Sequence, residues 1–176
     1  MLKQVLYVAF VYGAMSAASG DSKPPLQTVG KVDLQRYVGK WYEIARYPNR
    51  FEKRCVSDIT ATYTARPDGK ITVLNTCRKA DGQMKSSRGL AKSVDQRTNA
   101  KLKVTFFWPL YGKYWVIGLD PEYRYAVVSE PSRKYLWILS RTPKLDPELY
   151  QRAVDTVRQQ GLDPSRLIRP LQAERP

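Results

Sequence analysis

Cys55 and Cys77 are the only cysteines in a chain of 176 residues that holds no histidine. A cysteine acts as a nucleophile or metal ligand through its thiolate, which a neighbouring base or cation must favour. Without histidine the chain builds no Ser-His-Asp triad, no Cys-His pair and no imidazole metal site. Most hydrolase and metalloenzyme chemistries fall away, and neither a metal nor a cofactor is expected. An even cysteine count in an oxidising compartment favours a bridge between the two.

The N-terminus supplies that compartment. Lys3 precedes an apolar run from Val5 to about Ala18, closed by Ser16, Ala17, Ala18, Ser19 and Gly20. The run is shorter than the roughly 20 residues that span a bilayer, so residues 1–19 read as a secretory signal. No cysteine stands at the cleavage point, so the exported protein is not expected to be lipid-anchored through one. Residues 20–31, with Pro24 and Pro25, read as a flexible leader. Net charge is +14. This favours anionic partners such as phospholipid, nucleic acid or an acidic ligand, without choosing among them.

The elements that must position any site are short alternating runs. WYEIARY, ITATYTA and ITVLNTC come first, with Arg66-Pro67-Asp68-Gly69-Lys70 turning the second into the third. A strand near Met84 to Val94 follows the turn at Asp81-Gly82, then LKVTFF, KYWVIGLD, YAVVSE and KYLWILSR. Eight evenly spaced strands without intervening helix predict a sandwich or an up-and-down barrel. One helix follows, with Asp146 as N-cap, Pro147 in its first turn and Gly161 as its stop. Leu149, Ala153 and Val157 give it one apolar face, and the strand-like SRLIRPL closes the chain. No second domain is expected.

Gly39-Lys40-Trp41 opens the first strand, Asp120-Pro121-Glu122-Tyr123 joins the sixth to the seventh, and Arg141 ends the eighth. These motifs in this order resemble the lipocalin pattern. WYEIAR and YLWILSRTP resemble its bacterial subgroup close to apolipoprotein D. The resemblance covers residues 32–171, leaving 172–176 as a tail. It implies an all-β fold: an eight-stranded antiparallel up-and-down barrel with a C-terminal helix. It also implies a carrier rather than an enzyme, binding a fatty acid or lysophospholipid, with a role in outer-membrane lipid maintenance. In a meander all three motifs gather at one end, so Trp41 would plug the floor beneath Arg141. Gly39, Asp120 and Tyr123 would support that plug structurally.

Counting by twos then gives the lining. Glu43, Ala45 and Tyr47 turn inward on the first strand; Ile59, Ala61 and Tyr63 on the second; Val73 and Asn75 on the third. Leu102, Val104 and Phe106 follow, then Tyr114 and Val116, Ala126 and Val128, and finally Tyr135, Trp137 and Leu139. Polar Thr60, Thr62, Thr64, Lys101 and Lys103 fall outward, which supports the phase. Glu43 and Asn75 are the polar exceptions, suited either to a ligand headgroup or to an internal pair. Cys77 falls opposite Ile59, so Cys55 must curl back to bridge with it.

Arg50, Lys53, Arg54, Arg78, Lys79, Lys85, Lys113, Arg133 and Lys134 ring the open end, beside the apolar loop Phe107-Trp108-Pro109-Leu110-Tyr111. That combination suits contact with an anionic membrane surface, in the periplasm or at the outer membrane. Two other classes compete. A basic barrel could stack nucleic acid, but its aromatics sit at inward parity and no nucleic acid is expected. A few lipocalins isomerise substrates with a cysteine nucleophile, but here no base is available to activate a thiol. Oligomeric state stays open, a homodimer included.

Overall fold

The computed structural model describes residues 23–173. Eight strands close into one antiparallel barrel in chain order, the eighth pairing back with the first. They are β1 (Gly39–Arg46), β2 (Cys55–Ala65), β3 (Ile71–Lys79), β4 (Met84–Ser93), β5 (Lys101–Phe107), β6 (Leu110–Leu119), β7 (Tyr125–Ser129) and β8 (Leu136–Ser140). Alternation of β-branched and aromatic residues drives this, because each strand faces an apolar interior on one side only. Residues 1–19, expected to be a signal, lie outside the described residues, as do 174–176 of the expected tail.

Two helices flank the barrel. The short α1 (Leu34–Tyr37) precedes β1, and Asp33 caps it by accepting from the N–H groups of Gln35 and Arg36. At four residues it is too short to print a helical stripe, and the sequence reading missed it. The longer α2 (Pro147–Gln159) is capped by Asp146 as expected. It buries Leu149, Ala153, Val154 and Val157 against the outer wall. Large apolar side chains gain about 1.5–3 kcal/mol each on full burial. Gly118 allows the close approach: a Cβ there would stand 2.8 Å from Thr156 Cγ2.

The ends of the domain depart from expectation. The stretch 23–31, expected to belong to a flexible leader, packs along the barrel wall. Leu26 is buried, Val29 N–H donates to the Val116 carbonyl, and Gln27 N–H donates to the Gln160 side chain. Its apolar residues lie too far apart to give a periodic signal, yet they find a place along the wall. SRLIRPL forms a 3-10 turn at Pro164–Arg166 and two isolated bridges, Arg46 with Ile168 and Ser57 with Leu171. Gln172 donates from its amide to the carbonyls of Glu43 and Ile59, so the chain stays fastened past residue 171.

Candidate ligand-binding site

The connections after β2, β4 and β6 and the entry to β1 all lie at one end of the barrel, and that end is closed. Gly39 makes the entry with φ of +100°, a conformation that side chains other than glycine's rarely adopt. A Cβ there would also come 3.2 Å from Arg141 Nη1. Trp41 is fully buried, and its Nε1 donates to the Tyr37 carbonyl at 2.8 Å. The Arg141 guanidinium lies 3.8 Å from the indole centroid, a contact of about 1–2 kcal/mol when desolvated. It also donates to the carbonyls of Arg36, Tyr37, Val38 and Lys40, fastening α1 over the floor. Tyr123, with φ of +61°, accepts from Asp33 N–H at 2.8 Å. Asp120 is buried and accepts from Arg124 and from the turn's own N–H groups. Its carboxyl titrates below the ordinary range because Arg124 holds the ionised form. All five expected structural residues meet at this floor; Arg36, Tyr37 and Arg124, which complete it, were not foreseen.

Above the floor, strand parity holds for most of the expected lining. Ala61, Tyr63, Val73, Leu102, Val104, Phe106, Tyr114, Val116, Ala126, Val128, Trp137 and Leu139 join Trp41 in one interior cluster. Ile59 packs instead with Cys55 and Cys77. Tyr135 precedes β8, stacked on Trp137 with centroids 5.9 Å apart, and Phe51 of the β1–β2 loop stands 5.3 Å beyond it. These three aromatics run from the rim inward. β4 adds lining that the reading omitted. Its register sets Lys85, Ser87, Gly89 and Ala91 opposite Cys77, Asn75, Val73 and Ile71. The alternation of small residues in Ser87, Gly89 and Ala91 carried that signal.

Ala45 and Tyr47 are corrected. A bulge in β1 pairs Glu43 with Leu139 but Ala45 with Ile138, inverting parity beyond Glu43. Both residues therefore pack outside, in the cluster under α2, where the Tyr47 hydroxyl donates to the Asp163 carbonyl. Arg46 takes the buried position instead. Its guanidinium reaches Glu43 at 2.6 Å and Glu52 at 3.0 Å, and Glu52 accepts from Trp137 Nε1 at 3.3 Å. Burial, and then the Glu52 charge, push the Glu43 carboxyl well above the usual range despite Arg46. Glu43 is thus an internal partner rather than a free headgroup ligand. Asn75 differs: its buried amide oxygen accepts nothing among the described residues.

Cys55 and Cys77 are bonded, with Cα atoms 5.5 Å apart. Two irregularities in β2, one between Cys55 and Ser57 and one between Ser57 and Thr60, supply the curl that the simple register lacked. Closing a loop of this length stabilises by roughly 3 kcal/mol in the chain-entropy account. With both sulfurs bonded to each other, no free thiol remains for isomerase chemistry.

A closed eight-stranded meander with a Trp–Arg floor, one open end and a helix on its wall is the architecture of a lipocalin. Residues 32–172 match the lipocalin-like domain model, and the chain belongs to that family. The outer membrane lipoprotein Blc of Escherichia coli K12 is 43% identical over 93% of each chain. Apolipoprotein D of Mus musculus is 33% identical, covering 100% of this chain and 98% of its own. Among solved structures, insecticyanin from the tobacco hornworm Manduca sexta superposes with a TM-score of 0.71 at 24% identity, covering 87% of each chain. The bacterial, apolipoprotein D-related character read from WYEIAR and YLWILSRTP is thereby established. Family and barrel together support a carrier of a small hydrophobic ligand.

Proposed function

We propose that the protein carries one single-chain amphiphile, a fatty acid or lysophospholipid, tail down in the barrel, within the bacterial envelope. One observation carries the reading. Ala61, Val104, Phe106, Tyr114 and Trp137 belong to the interior cluster, yet each keeps accessible surface, while Trp41 below them has none. Inward side chains that remain partly accessible above a sealed floor offer contact surface inside the barrel, and apolar walls there favour a hydrocarbon tail at about 0.8 kcal/mol per methylene. Lys85 stands on the inward face near the rim, with no ion-pair partner among the described residues, and suits an anionic headgroup. The Asn75 oxygen is free to accept from a headgroup hydroxyl.

The rim extends the reading to a membrane. Phe107, Trp108 and Leu110 are 78%, 82% and 74% exposed at the tip of the β5–β6 turn, with Lys113 on β6 and Lys85 on the next strand over, β4. Apolar tips within a basic field suit an anionic lipid surface, from which a ligand would enter. The test is titration with fatty acids and lysophospholipids of increasing length, followed by tryptophan fluorescence and melting temperature. Affinity should rise with each methylene until the floor is reached, then stop. If no acyl chain changes either signal, the carrier reading fails.

A further inference from the structure

The barrel interior just above the floor is not purely apolar. Tyr37 from α1, Tyr63 from β2 and Tyr114 from β6 bring their hydroxyls together inside the barrel. The Tyr114 oxygen lies 2.7 Å from that of Tyr37 and 3.0 Å from that of Tyr63. Tyr37 and Tyr63 are 1% and 6% exposed. Burial pushes the Tyr63 phenol up to about 12, and those of Tyr37 and Tyr114 well above their ordinary value. All three therefore keep their protons at any physiological pH.

The protons can be counted. Three hydroxyls carry three donors, and two oxygen–oxygen contacts consume two of them. Whichever way the chain of bonds runs, one O–H is left over. No other hydrogen bond from these hydroxyls exists among the described residues. A buried donor without an acceptor costs about as much as a lost hydrogen bond, so the interior gains by meeting an oxygen there.

We propose that this triad forms a polar subsite at the far end of the ligand, selecting acyl chains with an oxygen acceptor near their terminus over methyl-terminated chains. Oxo- and hydroxy-acyl chains are the chemical class it takes. The subsite rests on the acyl reading above but differs from it: apolar walls bind any tail, while the leftover donor rewards one kind. Asn75 is its counterpart, an acceptor on β3 where the triad offers a donor.

The test compares two fatty acid series in detergent-free calorimetry, matched in length. One series ends in methyl; the other carries a ketone on the carbon next to the terminal one. At the length that reaches the triad, the oxo acid should bind about tenfold tighter, the ratio that one satisfied buried donor yields. At shorter lengths it should bind no better. In the combined variant Tyr37→Phe, Tyr63→Phe, Tyr114→Phe the affinity ratio between the two acids at that length should fall to one, whatever the change in affinity common to both. Removing all the partners for rings of nearly the same shape costs little. Should that variant not fold, ultraviolet resonance Raman of the wild-type tyrosines decides: the oxo acid must alter the phenol hydrogen-bond signature, and the methyl-terminated acid must not. Equal affinities at every length, a preference that survives in the variant, or an unchanged tyrosine signature overturns the subsite alone. Failure of both series to bind overturns the carrier reading and this one with it.

Discussion

The barrel holds one arginine at its floor and another near its mouth, and the two are used in opposite ways. Arg141 donates to four backbone carbonyls and covers the Trp41 ring. None of those partners titrates. Arg46 spends its guanidinium on two carboxylates, Glu43 and Glu52, one of which also holds the indole of Trp137. The Trp41–Arg141 plug is therefore a fixture made without titrating partners, and the mouth is an assembly whose charge depends on pH. A carrier needs that division: a base that does not open, and an entrance that can respond to what arrives.

The largest difference should appear when the floor is broken. Trp41→Ala removes a fully buried ring and leaves the Arg141 guanidinium without its aromatic face. A loss of about 3–5 kcal/mol is expected, typical of Trp or Phe truncation in a core. Equilibrium denaturation in urea measures it. A midpoint within error of wild type would mean that the floor is held by Arg141 and its carbonyls alone.

The same two regions differ in how far residue order alone reveals them. Gly39, Trp41, Asp120, Tyr123 and Arg141 are recoverable because a meander sends alternate connections to one end, and parity from Trp41 then predicts most of the lining. The mouth resists this treatment. A single bulge after Glu43 exchanges Ala45 and Tyr47 for Arg46, and no periodicity announces a bulge. Glu52 sits in a loop, where inward and outward have no period at all. The tyrosine triad was half visible: Tyr63 and Tyr114 had inward parity, but Tyr37 belongs to a helix of four residues that leaves no stripe. The β4 lining shows only as the alternation of Ser87, Gly89 and Ala91, a faint mark because small residues carry little hydrophobic signal.

A smaller effect, of opposite sign, is expected at the mouth. Two carboxylates share one guanidinium there, so Glu43 ionises against both burial and a neighbouring negative charge. Its folded-state pKa is raised above the unfolded value. Its contribution to stability is therefore complete below the ordinary carboxylate range and is lost as pH rises through the folded pKa. Glu43→Gln keeps an acceptor for Arg46 and removes the titration. Wild type and variant should be equally stable in acid, with the variant gaining as pH rises above about 4.5 until the raised folded-state pKa of Glu43 is passed. Melting curves across that range measure the difference. A constant offset between the two proteins would show that Arg46 neutralises Glu43 fully.

The smallest stability change, and the sharpest contrast with the floor, should come from the tip of the β5–β6 turn. Trp108 and Leu110 are 82% and 74% exposed, so Trp108→Ser with Leu110→Ser should alter stability by less than about 0.5 kcal/mol. The side chains that do nothing for folding are the ones free to enter a bilayer. Wild-type protein should sediment with vesicles containing phosphatidylglycerol, and less so as salt rises, because the basic rim is screened within about 10 Å at 0.1 M. The double variant keeps every charge and loses the apolar tip. It should bind those vesicles several-fold more weakly at low salt while its affinity for a soluble fatty acid stays that of wild type. Undiminished vesicle binding would assign the contact to the lysines alone. A parallel loss of fatty acid affinity would place the tip at the cavity entrance instead of in the membrane.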